Sequence, residues 1–299
     1  ADGVRVARVV PRSPADRETS RLEAGDVIVA VDGMSVAEAP NFYALLADRA
    51  DERTILSVRR DDREREFVIR PTGNLNDELY EEWVRERARL TERYSDGRLG
   101  YIHIEGMNWP SFERFERELV AAGEGKDGIV IDVRYNGGGW TTDYLMAVLT
   151  VRQHAYTIPR GAANDLEREH ERFRDHYPFG ERLPLAAWTR PAVALCNASS
   201  FSNAEIFSHA FKTLGLGPLV GEPTYGAVIS TGGAGLIDGS FVRLPFRGWY
   251  VKATDENMEN GPAVPDVIIE TRPDSRADGE DEQLRAAVET LLRNIDAGD

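Results

Sequence analysis

The sequence NASSFSNAEIFSHAFKTL, from Asn197 to Leu214, joins a predicted strand to a predicted helix through a short polar turn. The apolar run at residues 192–196 precedes it and is typical of a buried strand, and apolar side chains recur at helical spacing from Ile206 onward. The turn ends on Ser202. Because backbone N–H groups at the start of a helix stabilise negative charge, a hydroxyl in this place is a candidate nucleophile for acyl transfer.

A purely structural role for the same serine is also open. Ser202 and Glu205 fit the pattern S-x-x-E of a capping box, in which the hydroxyl caps the helix and the carboxylate returns a hydrogen bond. This motif is common, so the stretch alone favours capping. The rest of the chain must decide between the two roles.

The composition is that of a folded, acidic protein. With 299 residues, of which 41% are apolar, the chain can bury a substantial core in one large domain or two smaller ones. The net charge of −15 disfavours nucleic acid or anionic lipid as a partner, because phosphates are repelled. No apolar run approaches the ~18 residues of a membrane-spanning helix, so we expect no membrane span.

Neither a metal nor an organic cofactor is expected. The five histidines and the single cysteine are scattered and show no ligand spacing. Cys196 lies in the predicted strand before Asn197, which favours a buried, unreactive thiol, and a single cysteine excludes an internal disulfide. One thiol is compatible with a reducing compartment.

Residues 1–72 form a small β-rich unit. Ser13-Pro14-Ala15 is followed at residues 22–33 by LEAGDVIVAVDG, which predicts a turn, a strand and an Asp-Gly hairpin. A helix is expected at residues 41–50. This order resembles a bacterial PDZ domain. The charged but periodic stretch that follows predicts a linker helix within residues 73–98.

In residues 99–299 strands and helices alternate, which predicts an α/β core. The near-continuous apolarity of residues 129–133 indicates a strand buried on both faces, and the triplet Gly137-Gly138-Gly139 follows it. A polar insertion at residues 161–181 is expected on the surface, and an amphipathic helix at residues 283–295 closes the chain. Short strands are expected at residues 227–230, 241–244, 250–253 and 267–269.

Three features occur in a fixed order: the glycine triplet, Ser202, and Glu259 ahead of VPDV at residues 264–267. In this order the chain resembles the tail-specific or C-terminal-processing serine peptidases, and above all their tricorn branch. DVRYNGGG at residues 132–139 and KTLGLG at residues 212–217 extend the resemblance over nearly the whole chain. It implies a ClpP/crotonase-like peptidase core of mixed sheet and helices, preceded by a small β-rich PDZ domain.

The resemblance assigns roles to single residues. Ser202 takes the position of the nucleophile, and the backbone N–H groups of Gly139 and Asn203 take the positions of the oxyanion hole. Glycine suits this place because, without a Cβ, it lets a substrate carbonyl approach the backbone closely. The alternative for the triplet is a plain strand-to-helix turn.

The resemblance also implies roles for residues farther along the chain. Glu259 matches the family carboxylate that buttresses the catalytic base through an intervening hydroxyl; the alternative is a solvated acid close to Asp255 and Glu256. Residues 226–231 match the strand edge on which substrate lies as an added strand. Within that edge, the positions that contact substrate backbone are Ser230 and Thr231.

The general base of this family pattern is missing. Gly226-Ala227-Val228 stands where the processing branch has a lysine, and the tricorn branch uses a histidine that precedes the PDZ domain. The resemblance therefore places the base upstream of residue 1. His209 follows Ser202 on the same helix at roughly 10 Å along the axis, too far for proton transfer. The other histidines match a non-catalytic position or are expected on the surface: His103, His154, His170 and His176.

The resemblance predicts a cytoplasmic, homo-oligomeric serine peptidase that hydrolyses unfolded peptides or protein C-termini through an acyl-enzyme on Ser202. The alternative is a non-catalytic peptide-binding module with a PDZ domain and a peptidase-like scaffold. A third possibility, a related fold acting on acyl-thioesters, is disfavoured by the PDZ domain. Asn203 is neutral where the tricorn branch commonly has an aspartate that favours basic side chains, so that preference is not implied here.

Overall fold

The structure, a computed structural model, describes residues 2–152, 156–162, 165–174, 186–272 and 279–298. It divides into two compact units, Ala1–Glu86 and Arg87–Asp299, and the division falls inside helix α1 (Asn76–Tyr94). Helix α1 is the expected linker helix. The bounds 1–72, 73–98 and 99–299 of the three segments stay predictions.

Unit 1 is an antiparallel sheet. Its strands are β1 (Val4–Arg5), β2 (Val27–Val31), β3 (Met34–Ser35), β4 (Thr54–Arg60) and β5 (Arg63–Ile69). They run in the order β1-β2-β4-β5, with β3 paired to β2. Asp32 and Gly33 join β2 to β3 with φ of 46° and 81°, as a type I′ hairpin turn requires. The expected helix at residues 41–50 is only a 3-10 helix, Phe42–Leu46, because the backbone becomes extended at Ala47.

Unit 2 is built on a five-stranded parallel sheet. Its strands are β6 (Leu99–His103), β7 (Gly128–Asp132), β8 (Ala192–Cys196), β9 (Leu219–Gly221) and, near the end of the chain, β12 (Val267–Ile268), in the order β12-β9-β8-β7-β6. Every residue of β6, β7 and β8 is buried, as strands covered on both faces require. Cys196 is buried, which confirms its predicted place in the core, and burial raises the pKa of its thiol to about 12.

Helices cover both faces of this sheet. They are α2 (Trp109–Gly123), α3 (Thr142–Leu149), α5 (Asn203–Thr213) and α6 (Glu282–Ala297), and a further helix is α4 (Leu166–Phe173). Helices α2, α3 and α5 share the main core with Ile129 and Ile131, which point to one face of β7. A Cβ built on Gly128, which would point to the opposite face, lies 3.1 Å from Leu291 of α6. Helix α4 belongs to the predicted polar insertion.

A separate antiparallel ribbon of β10 (Ser230–Gly235) and β11 (Phe241–Arg247) follows β9. The expected strand at residues 227–230 begins only at Ser230, because the N–H groups of residues 227–229 donate to side-chain carboxylates and not to a neighbouring strand. The expected strand at residues 250–253 is wrong. A turn closed by the Asp255 N–H on the Val251 carbonyl (2.8 Å) replaces it.

A buried ion cluster joins β7 to α6. Arg134, which is 4% exposed, lies 2.7 Å from Asp132 at the end of β7 and 2.9 Å from Asp281 at the start of α6. Burial raises the pKa of the Asp281 carboxyl, but the charge and hydrogen bonds of Arg134 outweigh burial, so this pKa lies below its usual value. The Asp281 carboxylate also caps α6 by accepting from the Leu284 N–H (3.0 Å).

Asp281→Asn removes the charge from this cluster and keeps a side chain that can cap the helix. At pH 7 we expect the free energy of unfolding to fall by about 3 kcal/mol, because Arg134 loses a buried charged partner. Since the Asp281 pKa is depressed in the folded protein, its contribution is present above about pH 4 and is lost as the pH falls through the folded pKa. Urea denaturation between pH 7 and pH 3 measures both effects.

The matched control is Lys212→Gln, which breaks an exposed ion pair with Asp266. It should change the free energy of unfolding by less than about 1 kcal/mol. If Asp281→Asn costs no more than this control, or costs the same at pH 3 as at pH 7, the buried cluster does not stabilise unit 2 in the way described.

Candidate active site

The loops that follow three parallel strands meet at one edge of the unit 2 sheet. We call residues 133–141, after β7, the glycine loop; residues 197–202, after β8, the serine turn; and residues 222–229, after β9, the clamp segment. Ligands of open parallel sheets bind outside the carboxyl ends of the strands. These three segments are therefore candidates for a ligand-binding site.

Asn136 fastens the glycine loop to the serine turn. Its buried side chain accepts at Oδ1 from the Gly138 N–H (2.8 Å), and its backbone carbonyl accepts from the Phe201 N–H (2.9 Å). A second bond between the two segments runs from the Ser200 hydroxyl to the Val133 carbonyl (2.9 Å). The two segments therefore hold each other in one arrangement.

Two glycines of this loop are required by close contacts. A Cβ built on Gly138 would lie 2.7 Å from the Ser202 Cβ and 3.0 Å from the Asn203 nitrogen, and one on Gly139 would lie 1.9 Å from the Met107 carbonyl oxygen. Both residues also have positive φ, 89° and 143°. Gly138 thus packs directly against the serine turn and Gly139 against the backbone of Met107, which a plain strand-to-helix turn does not need.

Ser202 has a strained backbone. Its φ of 58° and ψ of −116° lie in a region that residues with a side chain rarely adopt, and the residue is half-buried. Ser202 and Glu205 hold the two positions of a capping box, and the hydroxyl lies near the Glu205 N–H. That N–H donates to the Ser202 backbone carbonyl (2.9 Å), so the helix does not need the hydroxyl as its cap. Strain of this kind clusters at functional sites.

The N–H groups of Gly139 and Asn203 have no acceptor in the described part of the chain. The Met107 carbonyl accepts from the Trp140 N–H (2.7 Å), and the Met107 N–H donates to the Gly138 carbonyl (2.9 Å). In this parallel bridge the N–H of Gly139, which lies between Gly138 and Trp140, points away from Met107. Among the described residues, neither the Gly139 nor the Asn203 N–H donates to a protein acceptor. These two donors are available to a ligand beside Ser202.

Thr142 of α3 fixes the orientation of Asn203. The Thr142 N–H and hydroxyl each lie 3.0 Å from the Asn203 Oδ1, and the hydroxyl lies 2.8 Å from the Asn203 carbonyl. The starts of α3 and α5 are therefore tied together, and Asn203 is buried. An aspartate carboxylate at this position could accept the same hydrogen bonds. Asn203 therefore differs from an aspartate in charge and not in packing.

Glu205 ties the serine turn to the clamp segment. Its carboxylate is fully buried and accepts from the Ser202 N–H (3.0 Å), the Ala227 N–H (2.9 Å) and the Thr224 hydroxyl (2.8 Å), as well as from the Gly226 N–H. These four donors offset the cost of burying the charge. The sequence pattern identified Glu205 only as part of a capping box, which is one of these four contacts.

Glu259 holds the rest of the clamp segment. Its Oε2 accepts from the Val228 N–H (2.8 Å) and the Ile229 N–H (2.9 Å), and the residue is half-buried. With Glu205, it occupies the N–H groups of residues 226–229, so a strand added along residues 226–231 would find backbone donors only from Ser230 onward. The role of Glu259 as a buttress of the base stays a prediction.

Ser202 lies on a cavity of about 610 Å³. The predicted site residues that line it are Gly139, Ser202, Asn203, Ser230 and Thr231. The Ser230 hydroxyl accepts from Trp249 Nε1 (2.8 Å) and the Thr231 hydroxyl accepts from Arg243 (2.8 Å), so both hydroxyls can still donate to a ligand. Glu259 is not among the described lining residues and lies behind the clamp segment.

Within the described ranges, no histidine or lysine lines this cavity. His103 and His209 contact backbone carbonyls through Nε2, at 2.9 and 3.1 Å, and burial lowers the pKa of both imidazoles. His170 lies in α4, and His154 and His176 lie outside the described residues. A histidine or lysine base for Ser202 is therefore not part of the described lining.

Four residues that line the cavity or hold its loops have no role predicted from the sequence: Asn136, Thr142, Arg243 and Arg247. Asn136 carries a recognisable signal, because asparagine side chains accept from the backbone two residues on in turns. The other three carry none, since they reach the site through the fold and not through their neighbours in sequence.

The described part of the chain offers neither a metal site nor a membrane-spanning helix. No cluster of three or more His, Cys, Asp or Glu side chains there could hold a metal ion. None of its helices combines the length and the apolarity needed to cross a bilayer. The expected absence of a cofactor stays a prediction.

Comparison with known proteins identifies the family. The model of peptidase family S41 matches residues 98–269, and that of the PDZ domain matches residues 5–60. The chain belongs to peptidase family S41. The predicted fold class, an α/β peptidase core preceded by a PDZ domain, is confirmed.

Relatives in family S41 include tricorn proteases, which confirms the predicted branch. The chain is 27% identical over 287 residues to the tricorn protease of Thermoplasma volcanium and 30% identical over 303 residues to tricorn protease homolog 1 of Streptomyces coelicolor. These matches cover 95% and 98% of this chain but only 26% and 27% of the relatives. The crystal structure of the tricorn protease matches with a TM-score of 0.82 and 25% identity, over 99% of this chain and 28% of that one.

Glu205→Gln keeps the size of the side chain but turns an NH2 group toward N–H donors. We expect the free energy of unfolding to fall by about 1–3 kcal/mol, because at least one buried donor loses its partner. Hydrogen exchange of the Ser202, Gly226 and Ala227 amides should accelerate at the same time. Urea denaturation and amide exchange by NMR measure the two effects.

Glu222→Gln is the control, since among the described residues its carboxylate accepts only from the Thr271 N–H (2.9 Å), at a half-buried position. It should cost less and leave the exchange of the Ser202 amide unchanged. Equal losses in both variants, with unchanged exchange at Ser202, would show that Glu205 is not the anchor of the serine turn.

Proposed function

We propose that this chain carries the PDZ domain and the catalytic core of a serine peptidase that hydrolyses unfolded peptides or protein C-termini through an acyl-enzyme on Ser202. One observation carries the proposal: a hydroxyl on a strained turn and two unoccupied backbone N–H groups, of Gly139 and Asn203, border one cavity. Membership of peptidase family S41 supports the reaction class.

In the proposed reaction, a base takes the proton of the Ser202 hydroxyl while Oγ attacks the carbonyl carbon of the peptide bond. The carbonyl oxygen becomes an oxyanion that accepts from the Gly139 and Asn203 N–H groups, and the positive end of the α5 dipole adds to this stabilisation. The C–N bond then breaks, and the protonated base gives its proton to the leaving amine. Water, deprotonated by the same base, hydrolyses the ester on Ser202.

The base in this proposal is a histidine from a segment upstream of residue 1. The described cavity lining, which contains no histidine or lysine, supports this assignment, as does the resemblance to the tricorn branch. This chain spans about a quarter of the length of the tricorn relatives, so their remaining length offers room for such a segment. Glu259 would act on that base through an intervening hydroxyl. Cytoplasmic location and homo-oligomer formation also belong to the proposal.

The second candidate function is a non-catalytic peptide-binding module. The described cavity lining, without a histidine or lysine, favours it, and so does the PDZ domain at residues 5–60. In this case Ser202 would keep its backbone arrangement but would not react. The two functions differ in the reactivity of one oxygen, which can be measured directly.

The test compares residues 1–299 with the product of the complete reading frame. Residues 1–299 should hydrolyse fluorogenic peptides slowly or not at all, because the base is not among them. The complete product should hydrolyse them and should be labelled by a fluorophosphonate at Ser202, as mapped by mass spectrometry. Ser202→Ala should abolish both turnover and labelling.

Ser199→Ala is the control, because Ser199 is an exposed serine of the same turn and should leave both readouts unchanged. Normal turnover by residues 1–299 that Ser202→Ala abolishes would contradict the upstream base. A complete product that binds peptides and resists labelling would favour the binding module.

A further inference from the structure

We propose that Arg243 and Arg247 form a carboxylate-binding subsite of the cavity, which recognises an acidic side chain or the C-terminal carboxylate of a bound peptide. The inference rests on the proposed function, since it takes the cavity to be a peptide-binding cleft. It concerns which peptides bind and not the chemistry at Ser202. We refer to these two side chains as the arginine pair.

The arginine pair lies beside the predicted substrate contacts. Both arginines line the same cavity as Ser202. Arg247 is opposite Ser230 in the ribbon, and Arg243 bonds to Thr231. The register of the ribbon shifts between Ser230 and Thr231, and β-bulges of this kind re-aim side chains and are frequent next to active sites. A peptide that reaches Ser230 and Thr231 would therefore pass the arginine pair.

Neighbouring side chains hold both guanidinium groups in place. The Arg243 Nη2 donates to the Thr231 hydroxyl (2.8 Å), and the Arg247 Cζ lies 5.0 Å from the centre of the Trp249 ring. Trp249 is itself fixed by its bond to the Ser230 hydroxyl (2.8 Å). A guanidinium carries five N–H donors in a planar fork, so most of its donors remain available. Positioning before binding reduces the entropy that a ligand must overcome.

The charge of the cavity differs from that of the whole chain. Its described lining holds the arginine pair and one acid, Asp143, whereas the chain has a net charge of −15. Among the described residues, neither Arg243 nor Arg247 has a carboxylate within 4.0 Å. Two guanidinium groups without an acid partner, in so acidic a protein, leave a local preference for an anion.

A carboxylate is the anion that best fits this place. Guanidinium groups bind carboxylates through two parallel hydrogen bonds. A polyanion such as nucleic acid would be repelled by the rest of the chain. A peptide brings single carboxylates, either on Asp and Glu side chains or at its C-terminus, and the two sources share the same chemistry.

The experiment measures peptide binding to the Ser202→Ala chain by fluorescence anisotropy at low salt. One neutral peptide sequence carries a single Glu that is moved through successive positions, with Gln peptides as references. Each peptide is made with a free C-terminal carboxylate and with a C-terminal amide. The peptide whose carboxylate is recognised should bind about tenfold more tightly than the matching Gln or amide peptide.

The double variant Arg243→Gln/Arg247→Gln should reduce this preference to less than about twofold, because the charge-assisted hydrogen bonds are lost. The control Arg293→Gln removes a comparable bond, from Arg293 Nη2 to the Thr290 hydroxyl (2.9 Å) on α6, and should keep the preference. The PDZ domain is identical in all variants, so peptide binding there cancels in the comparison.

Each of three outcomes would overturn a different part of the proposal. Equal affinity for charged and neutral peptides would overturn the subsite and leave the peptide-binding cleft standing. A preference that the double variant leaves unchanged in size would overturn the assignment to the arginine pair. Binding of none of the peptides would contradict the proposed function as well as the subsite.

Discussion

The buried carboxylate of Glu205 is the constraint on which the site depends. It accepts from the serine turn on one side and from the clamp segment on the other. Because these donors converge on one buried charge, neither segment can move without leaving polar atoms unpaired. Asn136 links the glycine loop to the serine turn: its side chain accepts from Gly138 within the loop, and its backbone carbonyl accepts from Phe201 of the turn. Ser202 and the segments on either side of it are therefore held together by Glu205 and Asn136.

The parallel sheet supplies the place where this can happen. Since β7, β8 and β9 run in one direction, the segments after them meet at one edge. The strained backbone of Ser202 persists because the surrounding hydrogen bonds over-determine it. The same cavity is bordered by the arginine pair on the ribbon, whose charge opposes that of the chain as a whole. One edge of the sheet thus combines a candidate nucleophile, donors for an oxyanion, and a local charge that can select ligands.

Much of this fold follows from the sequence, because apolar runs mark buried parallel strands and periodic runs mark the helices on them. The serine turn was recognisable for the same reason: it joins one of each. The backbone of residues 227–229 could not be predicted from local pattern. Its sequence is typical of a strand, but its N–H groups donate to the carboxylates of Glu205 and Glu259, which are distant in sequence. The lining by Arg243 and Arg247 is equally a product of the fold. A general base for Ser202 could be placed neither by the sequence nor by the described cavity lining.

In the proposed reaction, two main-chain amides converge on the oxygen that develops negative charge beside Ser202. A crystal structure of the complete reading-frame product with a peptide phosphonate bonded to Ser202 tests it most directly. We predict that the phosphonyl oxygen lies within about 2.7–3.1 Å of both the Gly139 and the Asn203 nitrogens. A phosphonyl oxygen that points to solvent, or a Gly139 N–H turned away from it, would contradict the account.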